Sequence, residues 1–228
     1  MRRNKLLIVS AIYFLLYSLN LNCQSDSTSI LKQTALPLTL MATGVILNDQ
    51  AIKTSIQDDI RSTFPNFDSR LDDYMMLGPT ALDLAFTLTN NITNNKKHLS
   101  DILIGELAMY ITTKSLKKII GSRRPNGGGQ AFPSGHTSQA FTGATLLFHH
   151  YKNESFLLAS SGYLLATATG ALRVLNNRHW VSDVFFGAGL GILVGSLTYH
   201  LNPIGRMHDE NRLGFQIGGN SMLLTWRF

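Results

Sequence analysis

Three short basic and histidine-bearing clusters, at residues 117–125, 133–136 and 173–183, lie within 67 residues of this chain. The first reads Lys117, six residues, then Arg124-Pro125. The second is Pro133-Ser134-Gly135-His136, and the third is Arg173, five residues, His179, three residues, Asp183. Ser134 can cap a helix that follows Pro133, leaving the N–H groups of Gly135 and His136 pointing outward with the helix dipole, an arrangement that favours an anion. Lys117 and Arg124 are seven residues apart, two helical turns, so both can lean toward one oxyanion if the helix extends that far. His179 and Asp183 stand four apart, on one helical face. A carboxylate so placed accepts from one ring nitrogen and leaves the other as nucleophile or base. Arg173 adds a planar fork of donors suited to phosphate oxygens. Each cluster alone also has an ordinary explanation: a capped helix start, a solvated basic face shared with Lys114, Lys118 and Arg123, a surface helix pair. The complete set in this order points to an anion cradle built around a histidine.

The order and spacing resemble the type 2 phosphatidic acid phosphatase (PAP2) superfamily, which shares its site with vanadium-dependent haloperoxidases. The likeness covers residues 110–195 at motif level. It implies that His179 is a nucleophile forming a phosphohistidine, that Asp183 orients and charges it, and that His136 is the general acid for the leaving alcohol. It further implies that Lys117, Arg124 and Arg173 bind phosphate oxygens, aided by Ser134 and the Gly135 amide. No metal or cofactor is implied, because those cations and N–H groups stabilise the transition state, and vanadate is expected to inhibit. Leu172 departs from the pattern, since the family commonly has Ser before this arginine. Asp72-Asp73-Tyr74 through Pro79, with Asn176-Asn177-Arg178, also looks like bacterial envelope members that include lipid A phosphatases. The substrate implied is a phosphorylated lipid (phosphatidic acid, polyprenyl diphosphate or lipid A) or a small phosphomonoester. Three other readings stay open: a haloperoxidase, a soluble nonspecific acid phosphatase, and a non-catalytic envelope protein that binds anionic head groups. Arg123 and Arg178 read as solvated charges or as contacts for a second phosphate.

The elements that must position these groups are helical. Apolar segments at residues 34–47, 79–89, 101–120, 134–151, 155–172 and 182–201 alternate with polar breaks, the clearest at 90–100 and at 121–131, which holds Pro125 and three consecutive glycines. We expect an all-α protein, an antiparallel bundle of about six helices in the PAP2/haloperoxidase manner. Counting helices up and down brings all three clusters to one end of such a bundle. Gly187, Gly191 and Gly195, at four-residue spacing in the last helix, predict a close backbone approach. After Pro203, alternation of Leu213, Phe215 and Ile217, then of Met222, Leu224, Trp226 and Phe228, predicts a short β-hairpin-like tail.

Composition limits the remaining possibilities. The 228 residues carry a formal charge of +6. Setting aside Arg2, Arg3 and Lys5 leaves 17 basic against 14 acidic residues, too mild an excess to imply nucleic acid. Cys23 is the only cysteine, so no intrachain disulfide can form. Residues 1–25, with a basic start, an apolar run and a small polar stretch, read as a secretory signal. A membrane anchor or lipid attachment at Cys23 is the alternative. The expected organisation is a signal at 1–25, a helical domain at 26–203 and a C-terminal extension at 204–228. The uncharged apolar run at residues 184–203 approaches spanning length, whereas a mean hydropathy of +0.06 speaks against a mostly membranous chain. The domain is therefore expected at the periplasmic side of the cell envelope, against a membrane surface.

Overall fold

Six of the helices match the apolar segments read from the sequence, and two more lie where none was expected. The structure, a computed structural model, describes residues 27–89, 95–202, 213–218 and 221–226. The signal-like segment, with Cys23, lies outside the described residues. Eight helices follow in order: α1 (Ser27–Ile46), α2 (Gln50–Thr63), α3 (Leu71–Met75), α4 (Gly78–Thr89), α5 (Asn95–Ile120), α6 (Gly135–Tyr151), α7 (Phe156–Leu175) and α8 (Val181–Leu201). Strands β1 (Leu213–Gly218) and β2 (Ser221–Trp226) form an antiparallel pair, with Leu213 opposite Trp226 and Gly218 opposite Ser221. Phe228 and the turn between the strands lie outside the described residues.

Helix α6 is the hub: α4, α5, α7 and α8 all pack on it, and α1 covers the other side of α8. Short connections at 152–155 and 176–180 make α6, α7 and α8 run up, down and up. Side-chain caps fix several starts. Asp49 accepts from Ala51 N at 3.0 Å to open α2, and Ser155 accepts from Leu158 N at 3.3 Å to open α7. The core is divided between Met41, Met109, Phe132, Phe186, Leu190 and Leu193 on one side of α6 and Leu147, Tyr151 and Ala159 on the other. Each fully buried leucine among them contributes about 2 kcal/mol by removal from water.

Helix α8 is apolar on every face; α1 and α6 cover most of it, and Phe185 remains exposed. A β-carbon on Gly187 would lie 2.9 Å from the Ser134 carbonyl oxygen, and one on Gly195 would lie 2.8 Å from Thr145 Cβ. The glycine spacing thus sets α8 backbone to backbone against α6. Among the described residues α8 is the single helix long and apolar enough to cross a membrane, with 67% of its span buried in the protein; α1 and α2, bent by 93°, pass the same test as a broken pair.

Helix α2 carries Ile52, Ile56 and Ile60 at four-residue steps and α3 is a single short turn of helix, and both hold the connection between α7 and α8. Gln57 Nε2 donates to Val174 O at 3.2 Å and to Asn177 Oδ1 at 2.8 Å. Asn177 has φ 56°, the left-handed conformation that asparagine tolerates better than most residues. Asn176 Nδ2 donates to Ser69 O at 2.8 Å and to Asp72 Oδ1 at 3.0 Å.

Candidate active site

All eight residues singled out in the sequence lie at one end of the bundle, contributed by α5, the 121–134 segment, α6, α7, the 176–180 connection and the start of α8. A cavity of about 330 Å³ opens there, lined among others by Lys117, Arg124, Gly135, His136 and His179, with Met76, Met109 and Tyr110 as apolar wall. Ser134, Arg173 and Asp183 stand behind that lining.

His179 does not share a helix with Asp183, as their spacing suggests. It precedes the N-cap Trp180, and Asp183 is the third residue of α8. The contact forms across the cap: His179 Nδ1 is 3.0 Å from Asp183 Oδ2, which also accepts from Trp180 N at 3.0 Å. Asp183 is fully buried and His179 is 1% exposed. Burial, reinforced by Lys117, Arg173 and Arg124, holds the His179 ring well below its ordinary pKa, so it is neutral. Burial also pushes Asp183 up to about 7, against the pull of the Trp180 N–H and of Lys117. Above that pH a carboxylate faces Nδ1, which carries the ring proton, and Nε2 keeps a free lone pair.

The basic residues are held by the loops around them. Helix α5 stops at Ile120, and Gly121, at φ 61°, turns the chain, so Arg124 reaches the cavity from the loop rather than from a continuing helix. Lys117 Nζ donates to Gln130 O at 3.0 Å and Ala131 O at 2.9 Å. Burial and the nearby Arg124 charge bring Lys117 down to about 8. Trp180 Nε1 donates to Arg123 O at 2.9 Å and ties the same loop to the start of α8. Ser134 caps α6, pairs with Thr137 Oγ1 at 2.9 Å, and donates its backbone N–H to Asp183 O at 3.1 Å.

An acidic pair completes the site, and the three clusters do not include it. Arg173 is 2% exposed; its Nη1 donates to Asp72 Oδ2 at 2.7 Å and Asp73 Oδ1 at 3.1 Å, while its buried Nε has no partner. Arg178 is not a solvated charge: its Nη1 donates to both Asp73 oxygens at 3.1 Å. Asp73 Oδ1 also lies 3.1 Å from His136 Nε2. Burial raises the Asp73 carboxyl, but Arg178, His136 and Arg173 outweigh it and hold the group below the usual range. Burial and Arg173 lower His136, and Asp73 opposes them. The available signal was two adjacent acids in a segment already set apart by its likeness to envelope phosphatases.

Lysine chemistry makes the cavity sensitive to alkali. With Lys117 near 8 it is charged below that pH and neutral above, so the inhibition constant of inorganic phosphate should weaken about tenfold between pH 7 and pH 9. Phosphate is itself still losing its second proton at the lower end of that interval, so the constant is expressed on the concentration of the dianion. An inhibition constant that stays flat would contradict a role for this ammonium in anion binding.

Fold and cavity together define a class, a helical bundle that presents a carboxylate-backed histidine to a basic pocket beside a helix N-terminus. Residues 99–205 match the family model described as the PAP2 superfamily. It is 35% identical over 143 residues to a lipid A 1-phosphatase of Porphyromonas gingivalis, covering 61% of this chain and 32% of that protein. It is 33% identical over 113 residues to the Arabidopsis thaliana protein named "Probable lipid phosphate phosphatase 4", covering 44% of this chain and 34% of that one. The match thus spans about a third of the length of these relatives. The crystal structure of a transmembrane PAP2 type phosphatidylglycerolphosphate phosphatase from Bacillus subtilis shares the fold, with a TM-score of 0.54 at 20% identity over 75% of this chain and 96% of that one.

Proposed function

We propose that this chain is a phosphatase that hydrolyses phosphomonoesters or diphosphates of lipids through a phosphohistidine intermediate, at a membrane surface on the periplasmic side of the cell envelope. One observation carries the reading: a neutral His179, backed through Nδ1 by Asp183, borders a cavity that also holds Lys117, Arg124, His136 and the start of α6. Nε2 of His179 attacks phosphorus while the bond to the leaving oxygen breaks, and protonated His136 supplies the proton that oxygen needs. Asp183 stabilises the charge that builds on the imidazole. His136, now neutral, takes a proton from water as its oxygen attacks phosphorus and the P–N bond breaks, which frees inorganic phosphate and restores His179. Lys117, Arg124, the Nε of Arg173 and the Gly135 amide stabilise the equatorial oxygens, and Ser134 holds that amide in place. Vanadate is expected to compete by adopting the same five-coordinate geometry.

Lipid as the substrate class rests on the surface leading to the cavity and on the relatives' names. Leu99, Leu103, Leu107 and Ile111 recur at four-residue steps on the outer face of α5 with exposures of 36 to 70%, and Tyr110 beside them lines the cavity. A stripe of this kind suits acyl chains or a bilayer. The signal-like segment at 1–25 supports delivery to the envelope. The test is phosphate release by the purified protein from p-nitrophenyl phosphate, phosphatidic acid, a polyprenyl diphosphate and lipid A in mixed micelles. Release from at least one lipid with a kcat/KM above that for p-nitrophenyl phosphate is expected. Silence on all four overturns the phosphatase reading, and a preference for p-nitrophenyl phosphate overturns the lipid part alone.

A further inference from the structure

The opposite end of the bundle buries a second group of ionisable side chains that the phosphatase chemistry leaves without a role. Along α5, His98 lies 19 residues before Lys117, roughly 28 Å away at 1.5 Å per residue. Asp83 comes from α4, His98 and Asp101 from α5, and His150 from α6. The two aspartates are fully buried, and His98 and His150 are 6% and 8% exposed.

The geometry around His150 is specific. Its Nδ1 lies 2.9 Å from each oxygen of Asp83, and its Nε2 lies 3.2 Å from Asp101 Oδ2. Asp101 is held in turn by Lys97 Nζ at 2.6 Å and Asn202 Nδ2 at 2.7 Å. The His98 ring stacks on that of His150, with centroids 3.8 Å apart and planes within 9°. A hydrogen-bonded network accounts for His150, Asp83 and Asp101. It leaves His98 over, because the buried Nδ1 of that ring has no hydrogen-bond partner, and an unsatisfied buried nitrogen is retained against a desolvation penalty.

We propose that Asp83, His98 and His150 form a binding site for a divalent transition-metal ion, zinc foremost, with Asp101 orienting His150 from behind. One ligand atom from each of the three lies within 4.8 Å of the other two. Ligand atoms in a tetrahedral zinc site sit about 3.3 Å apart, given bonds of 2.0–2.1 Å, so closure needs side-chain shifts of about an ångström and a turn of the His98 ring out of its stack, which brings both in-plane lone pairs onto the ion. Two imidazoles and a carboxylate are a zinc donor set, and a carboxylate on the remote nitrogen of a ligating histidine is its usual support. The ion takes the place of the proton between His150 Nδ1 and Asp83, so binding releases that proton if His150 is charged beforehand, and the Nε2 proton stays directed at Asp101. The fourth position belongs to water. Such an ion would tie α4, α5 and α6 together at the end remote from the cavity, in a chain whose single cysteine allows no intrachain disulfide.

The test uses the purified full chain, stripped with EDTA, dialysed and titrated with zinc. We expect one zinc per chain after desalting and a Tm rise of about 5–10 °C at a free zinc concentration roughly 100-fold above Kd. His98→Phe keeps the stacked ring and removes a ligand, so it should fold, release phosphate as the parent does, and lose the zinc-dependent rise. Should it fail to fold, Asp83→Asn keeps the shape and should bind zinc at least about tenfold more weakly. A parent protein that retains no zinc and shows no shift overturns the site. So does a His98→Phe or Asp83→Asn protein that responds to zinc as the parent does, because the ion would then sit elsewhere.

Discussion

Replacing His179 with alanine should lower phosphate release from any substrate by at least about 10⁴-fold while leaving the fold intact. The size follows from the cavity. His179 is its carboxylate-backed, neutral imidazole, and removing it leaves the cations Lys117 and Arg124 able to bind substrate but unable to attack it. KM should therefore change far less than kcat. Rapid quench with phosphate-labelled substrate gives an independent readout, since a phosphoramidate survives alkali and breaks down in acid. The parent should carry one alkali-stable label per active chain during turnover, and the variant none. A folded variant that keeps a tenth of the parental rate, or a parent that never acquires the label, would remove histidine as the nucleophile.

The second large effect is expected at Asp73. Its carboxylate touches His136, Arg173 and Arg178 at once, each at 3.1 Å. Asp73→Asn keeps the shape and removes the charge. His136 then loses the group that opposes burial and Arg173, so its pKa falls further and less of it is protonated at a given pH. The alkaline limb of the kcat profile, where the general acid loses its proton, should move to lower pH. The rate on alkyl phosphates, whose alkoxide must be protonated as it leaves, should drop about 10²-fold or more. On p-nitrophenyl phosphate, whose leaving group needs little help, the loss should be much smaller. Equal losses on both substrates with an unmoved pH limb would mean that Asp73 only holds the arginines.

Legibility in the sequence followed the physics of each part. Helices α5 to α8 repeat apolar residues at helical spacing because they pack around one another, and that pattern is visible in a single chain. Helix α2 was legible in part, in Ile52, Ile56 and Ile60 at four-residue steps, but the residues that it and α3 bury, Gln57 and Asp72, work through hydrogen bonds to residues more than a hundred positions away. The three clusters come to one end because an up-and-down bundle returns the chain to the same end every second helix. Residue spacing could not give the exact local conformation: His179 lies outside the helix that carries Asp183, and Arg124 lies beyond the end of α5. Nor could it show what Arg173 touches, since its partners Asp72 and Asp73 are about a hundred residues upstream.

Gly187 against the Ser134 carbonyl and the Ser134 N–H on Asp183 O bolt the starts of α6 and α8 to each other. The carboxylate behind His179 and the helix start at the cavity are therefore parts of one block. On the proposed function, a site held this way selects among substrates as a lock does, by the shape and charge of what already fits. Swapping head-group preference between relatives would then be a matter of recutting the walls at Met76, Met109 and Tyr110, with the bolted pair left untouched.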